Sequence, residues 1–381
     1  MIRHSRPGRA ACAPRQTGFS LIELMVAMVL GLIVVAGLIN VLLANRKAFH
    51  LQESGNYTQQ NLRFASDRIG WSLREAGFWG GNRVGIVTFT SQANNATLSS
   101  RSGCDSGWVR DLTNEIYGYA GGSAFPLSGC VAAGNYVKGS DVLVVRYVGP
   151  DGIDPAAAST VAALPSPVLL VSAIGQQAAL FKRGETVPTT PPAAAIGRYV
   201  YPYHVELYYL QPCSDAGADG ICGTSDDGDA AERVPTLMRL RLDSTGLIAE
   251  PVVEGVEQMK AEYGVIDAAN PNQIVPVRYL SAAAVTAGNL WPQVIAVKLG
   301  LVAVGQTPDQ GVGYSGTFSL TPDLAATDAN ACTYVVTPTS VDASKCPGFT
   351  PYSRGSFTAG KFVRNAIVQT VQIRNRIRNK S

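Results

Sequence analysis

Histidine and charge are both scarce in this 381-residue chain. It has three His, and only 15% of its residues are Asp, Glu, Lys or Arg. Few side chains are therefore available for proton transfer or metal ligation. No C-x-x-C spacing suggests zinc. No G-x-S-x-G elbow, P-loop or dinucleotide glycine pattern is present. Ser-His-Asp sets can be drawn only through His50 or His204, and neither lies in a recognisable motif. We expect no catalytic function. A formal net charge of +3 is too small for the concentrated basic face of a nucleic-acid binder. A hydrophobic share of 46% argues against disorder.

The charge that is present is unevenly placed. Residues 1–18 carry Arg3, Arg6, Arg9 and Arg15 and no acid, and removing them leaves 27 basic against 28 acidic residues. The same cut removes Cys12 and turns seven cysteines into six. Both changes mark residues 1–18 as a leader rather than part of the fold. From Phe19 to Ala44 the chain is apolar except for Glu23. As a helix this run would be ~39 Å long, enough to cross a ~30 Å hydrocarbon layer. The arginines before it would hold that end in the cytoplasm and send the remainder across. The run is too long for a secretory signal and lacks its small-residue cleavage site. A carboxylate four residues into an apolar helix costs a few kcal/mol unless it is paired or near the interface, so Glu23 is either a functional group or an interfacial one.

Gly18-Phe19-Ser20-Leu21-Ile22-Glu23 resembles the type IV prepilin motif, with a Gly before the cut and a Glu fifth after it. The resemblance implies cleavage by a prepilin peptidase between Gly18 and Phe19 and N-methylation of Phe19. It implies that Glu23 pairs with the N-terminal amine of a neighbouring subunit. A charge in an apolar setting strongly prefers a matched partner to none, which suits that role.

Beyond the run, Leu62, Ala65, Ile69, Leu73 and Ala76 fall at spacings of 3, 4, 4 and 3, one stripe of an amphipathic helix. Gly55 and Asn56 are expected to interrupt this helix, and Gly77 to end it. Gln60-Asn61-Leu62-Arg63-Phe64-Ala65 and Leu73-Arg74-Glu75-Ala76-Gly77-Phe78-Trp79-Gly80 resemble the PilW family of minor pilins. Many relatives have a Cys after the last Gly, where this chain has Gly81. Glu250 to Glu257 and Phe362 to Arg376 are also similar to that family.

After residue 80 the period changes to that of strands. Residues 141–148, 203–210, 237–242 and 294–302 read as β-strands. Val252 to Tyr263 reads as a second helix, followed by a strand from Gly264. Stretches 91–135, 149–167, 184–198 and 303–358 read as loops rich in Gly, Ser, Ala and Pro. The expected class is α+β: a type IV pilin fold with a long N-terminal helix on an antiparallel sheet.

Export makes disulfides plausible for Cys104, Cys130, Cys213, Cys222, Cys332 and Cys346. Nearest-neighbour pairing would join 104 to 130, 213 to 222 and 332 to 346, among fifteen possible connectivities. The acidic run at Asp215, Asp219 and Asp226 matches positions 1, 5 and 12 of a calcium loop, with Gly220 at position 6. Gly217 replaces the donor at position 3, so a calcium site and a solvated acidic turn both remain open. Asp227 and Asp229 follow. The basic C-terminus, with Arg364, Arg374, Arg376, Arg378 and Lys380, reads as a final strand with a solvated tail.

The expected organisation is a leader (1–18), a transmembrane helix (19–44), an amphipathic continuation (45–78) and an exported β-rich body (79–381). The resemblance implies a non-catalytic minor pilin needing no cofactor. It would be held in the inner membrane with its body in the periplasm and later carried in a surface filament. Its implied partners are the prepilin peptidase, other minor pilins and the major pilin, the inner-membrane assembly machinery and a large tip adhesin. By implication its place is the priming or tip complex. A type II secretion pseudopilin, a signal-anchored periplasmic enzyme and a calcium-dependent adhesin are the alternatives.

Overall fold

The computed structural model describes residues 18–99, 101, 103–228, 233–270, 272–308, 315–354 and 357–378. Most of the leader and Asp229 therefore lie outside the described residues, as does Lys380. The chain falls into two compact units, Met1–Phe49 and His50–Ser381.

Helix α1 (Leu21–Glu75) contributes to both units. In the first, residues 18–49 are exposed along their whole length, a surface rich in Leu, Ile, Val and Met. This stretch is long and apolar enough to cross a membrane, by length and composition. In the second unit α1 runs without a break through Gly55 and Asn56, contrary to the expected interruption. A helix already held on one face by packing tolerates the ~1 kcal/mol penalty of a single glycine. It stops at Glu75 because Gly77 takes φ +71°, a left-handed turn that a side chain would resist.

The second unit is built from three sheets. The largest has eight strands: β1 (Val87–Phe89), β2 (Ile116–Tyr119), β3 (Val142–Val148), β4 (Val168–Ser172), β5 (Ala178–Lys182), β6 (Tyr199–Gln211), β7 (Thr236–Asp243) and β8 (Gly246–Glu254). Its order is β1-β5-β4-β6-β3-β2, with β7 pairing β6 and β8 pairing β7. Only the β1–β5 pair is parallel. The 13-residue β6 is its centre, pairing with β4 through Tyr199–Pro202 and with β3 and β7 further on.

The second sheet contains β9 (Val256–Val265), β10 (Arg278–Leu280) and β11 (Val294–Pro308). A small sheet of β12 (Gly316–Ser319), β13 (Thr333–Val336) and β14 (Val341–Lys345) follows. The final strand, β15 (Phe362–Gln372), completes the second sheet in the order β10-β9-β11-β15. Short helices α2 (Ser91–Asn94), α3 (Ala158–Ala162) and α4 (Ala282–Ala287) fill connections, and α5 (Arg374–Arg378) follows β15.

Two sequence expectations are corrected here. Val252–Tyr263 is not a helix but the end of β8 and most of β9, split at Gly255 with φ +76°. A Cβ at Gly255 would lie 3.1 Å from both the Tyr57 ring and the Val304 carbonyl oxygen. Every residue of β9 is buried, including Glu257, Lys260 and Glu262. Those charges suggest solvent exposure in sequence, but each has a partner inside the body. The other correction is residues 303–358, which were expected to be loop. They hold β12 to β14 around Phe318, Leu320, Tyr334 and Phe349, with Cys332 and Cys346 in the same cluster.

The α1 stripe is the floor of the main core. Leu62, Ala65, Ile69, Leu73 and Ala76 are all buried against residues of β3, β6, β9 and β11. Burying large aliphatic side chains contributes about 1.5–3 kcal/mol each.

Candidate assembly site

The residues expected to matter for assembly lie at the start of α1, where Glu23 bonds to Ser20. The Ser20 hydroxyl accepts the Glu23 amide at 3.2 Å, and the Ser20 amide donates to Glu23 Oε2 at 3.0 Å. This is a reciprocal capping box, which satisfies two of the amides left unpaired at a helix start. The S-x-x-E spacing of Ser20 and Glu23 is the sequence signal of this cap. Phe19 and Glu23 are exposed, and the cap uses one oxygen of Glu23. In an apolar surrounding, the cap would reduce the cost of this carboxylate.

In the second unit, the buried side of α1 carries small and polar residues as well as the stripe. Ser54, Thr58, Ser66, Gly70 and Ser72 are buried. Asn365 of β15 donates to the Thr58 hydroxyl at 2.6 Å, and Ser66 donates to Gln369. The Asn61 side chain donates to the Glu254 carbonyl at 2.8 Å. The strongest tie is Glu206 of β6. Its Oε1 accepts Arg68 at 2.8 Å and Arg239 at 2.6 Å, and its Oε2 accepts Ser72 at 2.5 Å and Tyr208 at 2.8 Å. Arg239 continues to Glu250 on β8. One buried carboxylate thus gathers groups from α1, β6 and β7, which fixes the rotation of the helix on the sheet. Sequence reading missed Glu206, because β6 offered only an alternating strand with one acid in it. Arg63 and Phe64 of the same helix are exposed.

Two further ion pairs fasten the C-terminal segment. Arg364 forks onto Glu257 at 2.7 and 2.9 Å, and Arg376 pairs with Glu115. All four are buried. Burial alone would lower the pKa of Arg364, but the Glu257 carboxylate outweighs it and the pKa is raised. The tail expected to be solvated is therefore anchored through Arg376. His204 beside β3 stacks on Tyr147 at 5.2 Å, and burial holds its pKa below 6.5.

The six cysteines are joined as nearest neighbours: Cys104 to Cys130, Cys213 to Cys222 and Cys332 to Cys346. The middle bridge closes the acidic loop. That loop brings Asp219, Asp226 and Asp227 together, their nearest oxygens within 4.8 Å of one another. Asp215 is not in the group and accepts the Gly217 amide instead. The loop supplies its own donors: Asp226 accepts the amides of Ala218 and Asp219, and Asp227 accepts that of Gly223. Thr224 donates to this same set of carboxylates. These bonds suit a self-contained acidic turn, and no cofactor is indicated. Asp226 is held below the usual carboxylate range, chiefly by the Thr224 hydroxyl.

Comparison with known proteins agrees with this geometry at both ends of the chain. The prokaryotic N-terminal methylation motif matches residues 13–39, which include Gly18, Phe19 and Glu23. A family described as type IV pilus-assembly protein W, PilW, matches residues 222–375, from the middle disulfide to the end of β15. A solved structure, a type IV-like pilin from Thermus thermophilus, is similar over 58% of this chain and 91% of its own, at 14% identity and TM-score 0.21. That likeness is too slight to bear on the argument. No curated protein matches the chain.

The chain is thus similar to type IV pilin-like proteins in its methylation motif, which opens a long apolar helix followed by a body of largely antiparallel sheets. The second half of the body is similar to the PilW family. The PilW match spans β7 to β15 and takes in Glu250–Glu257 and the Phe362–Asn375 segment, but not residues 57–80.

Proposed function

We propose that the protein is a minor pilin that helps to start and cap a type IV filament. On this reading, a prepilin peptidase cuts between Gly18 and Phe19 and methylates Phe19. Residues 19–44 hold the subunit in the inner membrane until assembly, residues 45–78 carry the stalk into the body, and residues 79–381 stand in the periplasm. The observation that carries the reading is the register of Gly18, Phe19 and Glu23 at the start of α1, inside the methylation-motif match. The Ser20–Glu23 cap supports a two-stage role for the carboxylate. It bonds to its own helix while the subunit waits, then exchanges that bond for the amine of a neighbour in the filament. The amine is the better partner because the bond is then between opposite charges. The other minor pilins, the major pilin, the inner-membrane machinery and a tip adhesin are the partners this role requires. Calcium at Asp219, Asp226 and Asp227 is not needed for it.

The test is the intact mass and N-terminus of the protein from cells with and without the peptidase. A chain beginning with methylated Phe19 only when the peptidase is present is the expected result. A Met1 terminus in both strains would overturn the reading. Glu23→Ala should still be cut but should fail to co-purify with pilus subunits.

A further inference from the structure

Three chemically complementary groups meet on one face of the second sheet. Glu262 on β9 and Lys298 on β11 are direct cross-strand partners, so their side chains rise from the same face. The segment after β12 crosses that face. Its passage depends on Gly300, two residues along from Lys298, where a Cβ would meet the Leu320 carbonyl oxygen at 2.3 Å. That crossing delivers Asp323 to Lys298, and the amine and carboxylate are in direct contact. Glu262 Oε1 fixes the delivery by accepting the amides of Asp323 at 2.9 Å and Leu324 at 3.0 Å. Its other oxygen, Oε2, is buried with no hydrogen-bond partner among the described residues and lies 3.9 Å from Lys298 Nζ. The ring of Tyr279 covers the amine at 4.2 Å.

An ordinary ion pair does not require this third group. A buried carboxyl with one unsatisfied oxygen costs free energy wherever it has no further task. Burial raises the pKa of Glu262 above the usual glutamate value, even though two amides and Lys298 pull it down. The group therefore holds a proton more readily than an exposed glutamate does, and it sits at the junction of amine and carboxylate.

We propose that Lys298 and Asp323 condense into an intramolecular isopeptide bond, with Glu262 as the group that relays the proton. Within the ion pair, one proton passes from Nζ to the Asp323 carboxylate, giving an amine and an acid. The Nζ lone pair attacks Asp323 Cγ and the C–N bond forms. A second proton leaves Nζ by way of Glu262 and reaches the departing hydroxyl. The Cγ–O bond breaks, one water is released and Glu262 ends as it began. The step is neutral overall and needs no oxidant or activated co-reactant. Groups held in such contact react as if at roughly 10⁵–10⁸ M, which offsets the unfavourable condensation of free amine and acid in water. Asp323 is partly exposed, which gives the released water an exit. The bond would clamp the excursion that carries the Cys332–Cys346 sheet onto β11.

The test is mass spectrometry of the full processed chain after denaturation, reduction, alkylation and trypsin. Trypsin spares an acylated lysine, so the expected product is one peptide, residues 279–345, lighter by one water and linked between Lys298 and Asp323. Cleavage after Lys298 with full masses on both sides would overturn the proposal, whatever any variant does. Glu262→Gln keeps an acceptor for the two amides but cannot relay the proton, and should show the uncrosslinked masses with its three disulfides intact. A cross-link that persists in that variant would remove Glu262 from the step. Asp323→Asn should give the same linked peptide by releasing ammonia instead of water, and Lys298→Arg should give none.

Discussion

The Arg364–Glu257 pair offers the sharpest test of how the C-terminal strand is held. Arg364 lies at the start of β15 and donates five hydrogen bonds: two to Glu257 and one each to the carbonyls of Ala359, Phe362 and Tyr352. Both partners are almost completely removed from solvent. Arg364→Met keeps much of the stem volume but leaves the Glu257 carboxylate buried, with the Tyr352 amide as a remaining donor. An uncompensated buried charge of this kind costs about 3–5 kcal/mol. Replacing both members, Arg364→Met with Glu257→Met, removes the stranded charge. It still orphans the Tyr352 amide, a loss of about 1–3 kcal/mol. Urea unfolding of a soluble chain beginning at His50, followed by tryptophan fluorescence, should therefore rank wild type above the double variant and the double above the single. A single variant within ~1 kcal/mol of wild type would refute the reasoning. The pair would then behave like an exposed one, for which ~1 kcal/mol is the upper range.

Three other expectations can be checked on the same material. Leu73→Ala opens the α1 side of the main core and should lower the unfolding free energy by about 2–5 kcal/mol in the same titration. Removing the disulfides one at a time should cost most at Cys104–Cys130 and least at Cys213–Cys222, since the sequence separations are 26, 14 and 9. The chain-entropy relation puts them at roughly 3.5, 3 and 2.6 kcal/mol, and calorimetry of the paired Cys→Ser variants would test the order. His204 has a folded pKa below 6.5, so the unfolded chain takes up the proton first. Its contribution to stability is complete above pH 6.5 and is lost as pH falls through the folded value. Unfolding curves between pH 7 and pH 5 should flatten in His204→Gln, and an unchanged slope would exclude this origin.

Much of α1 was legible because its determinants are local. The 3-4-4-3 spacing from Leu62 to Ala76 requires only helical periodicity, and Gly77 requires only a positive φ to end the helix. The strands at 142–148 and 294–302 were equally plain, since β-branched runs with no polar face have few other uses. Val252 to Tyr263 failed for the opposite reason. Glu257, Lys260 and Glu262 are charges that sequence alone assigns to solvent, but their partners are Arg364, Asp141 and the amides of 323 and 324, at distances of 60 to 120 residues along the chain. The small sheet around Cys332 was hidden in the same way. Its strands are four or five residues long, and its core is closed by Val302 from another sheet.

The sequence by itself determined that a basic stretch precedes a membrane-length apolar run, that Gly18, Phe19 and Glu23 match the prepilin pattern, and that a β-rich body follows. Each of these depends on residues close together in the chain, where composition, period and motif carry the physics. Only the tertiary structure decided that Glu206 gathers α1 onto β6 and β7, that Asp227 rather than Asp215 joins the acidic turn, and that Lys298, Asp323 and Glu262 meet on one sheet face. Those arrangements depend on which distant segments meet and in what register, and a one-residue slip of its strand would turn Glu206, Glu262 or Lys298 to the other face.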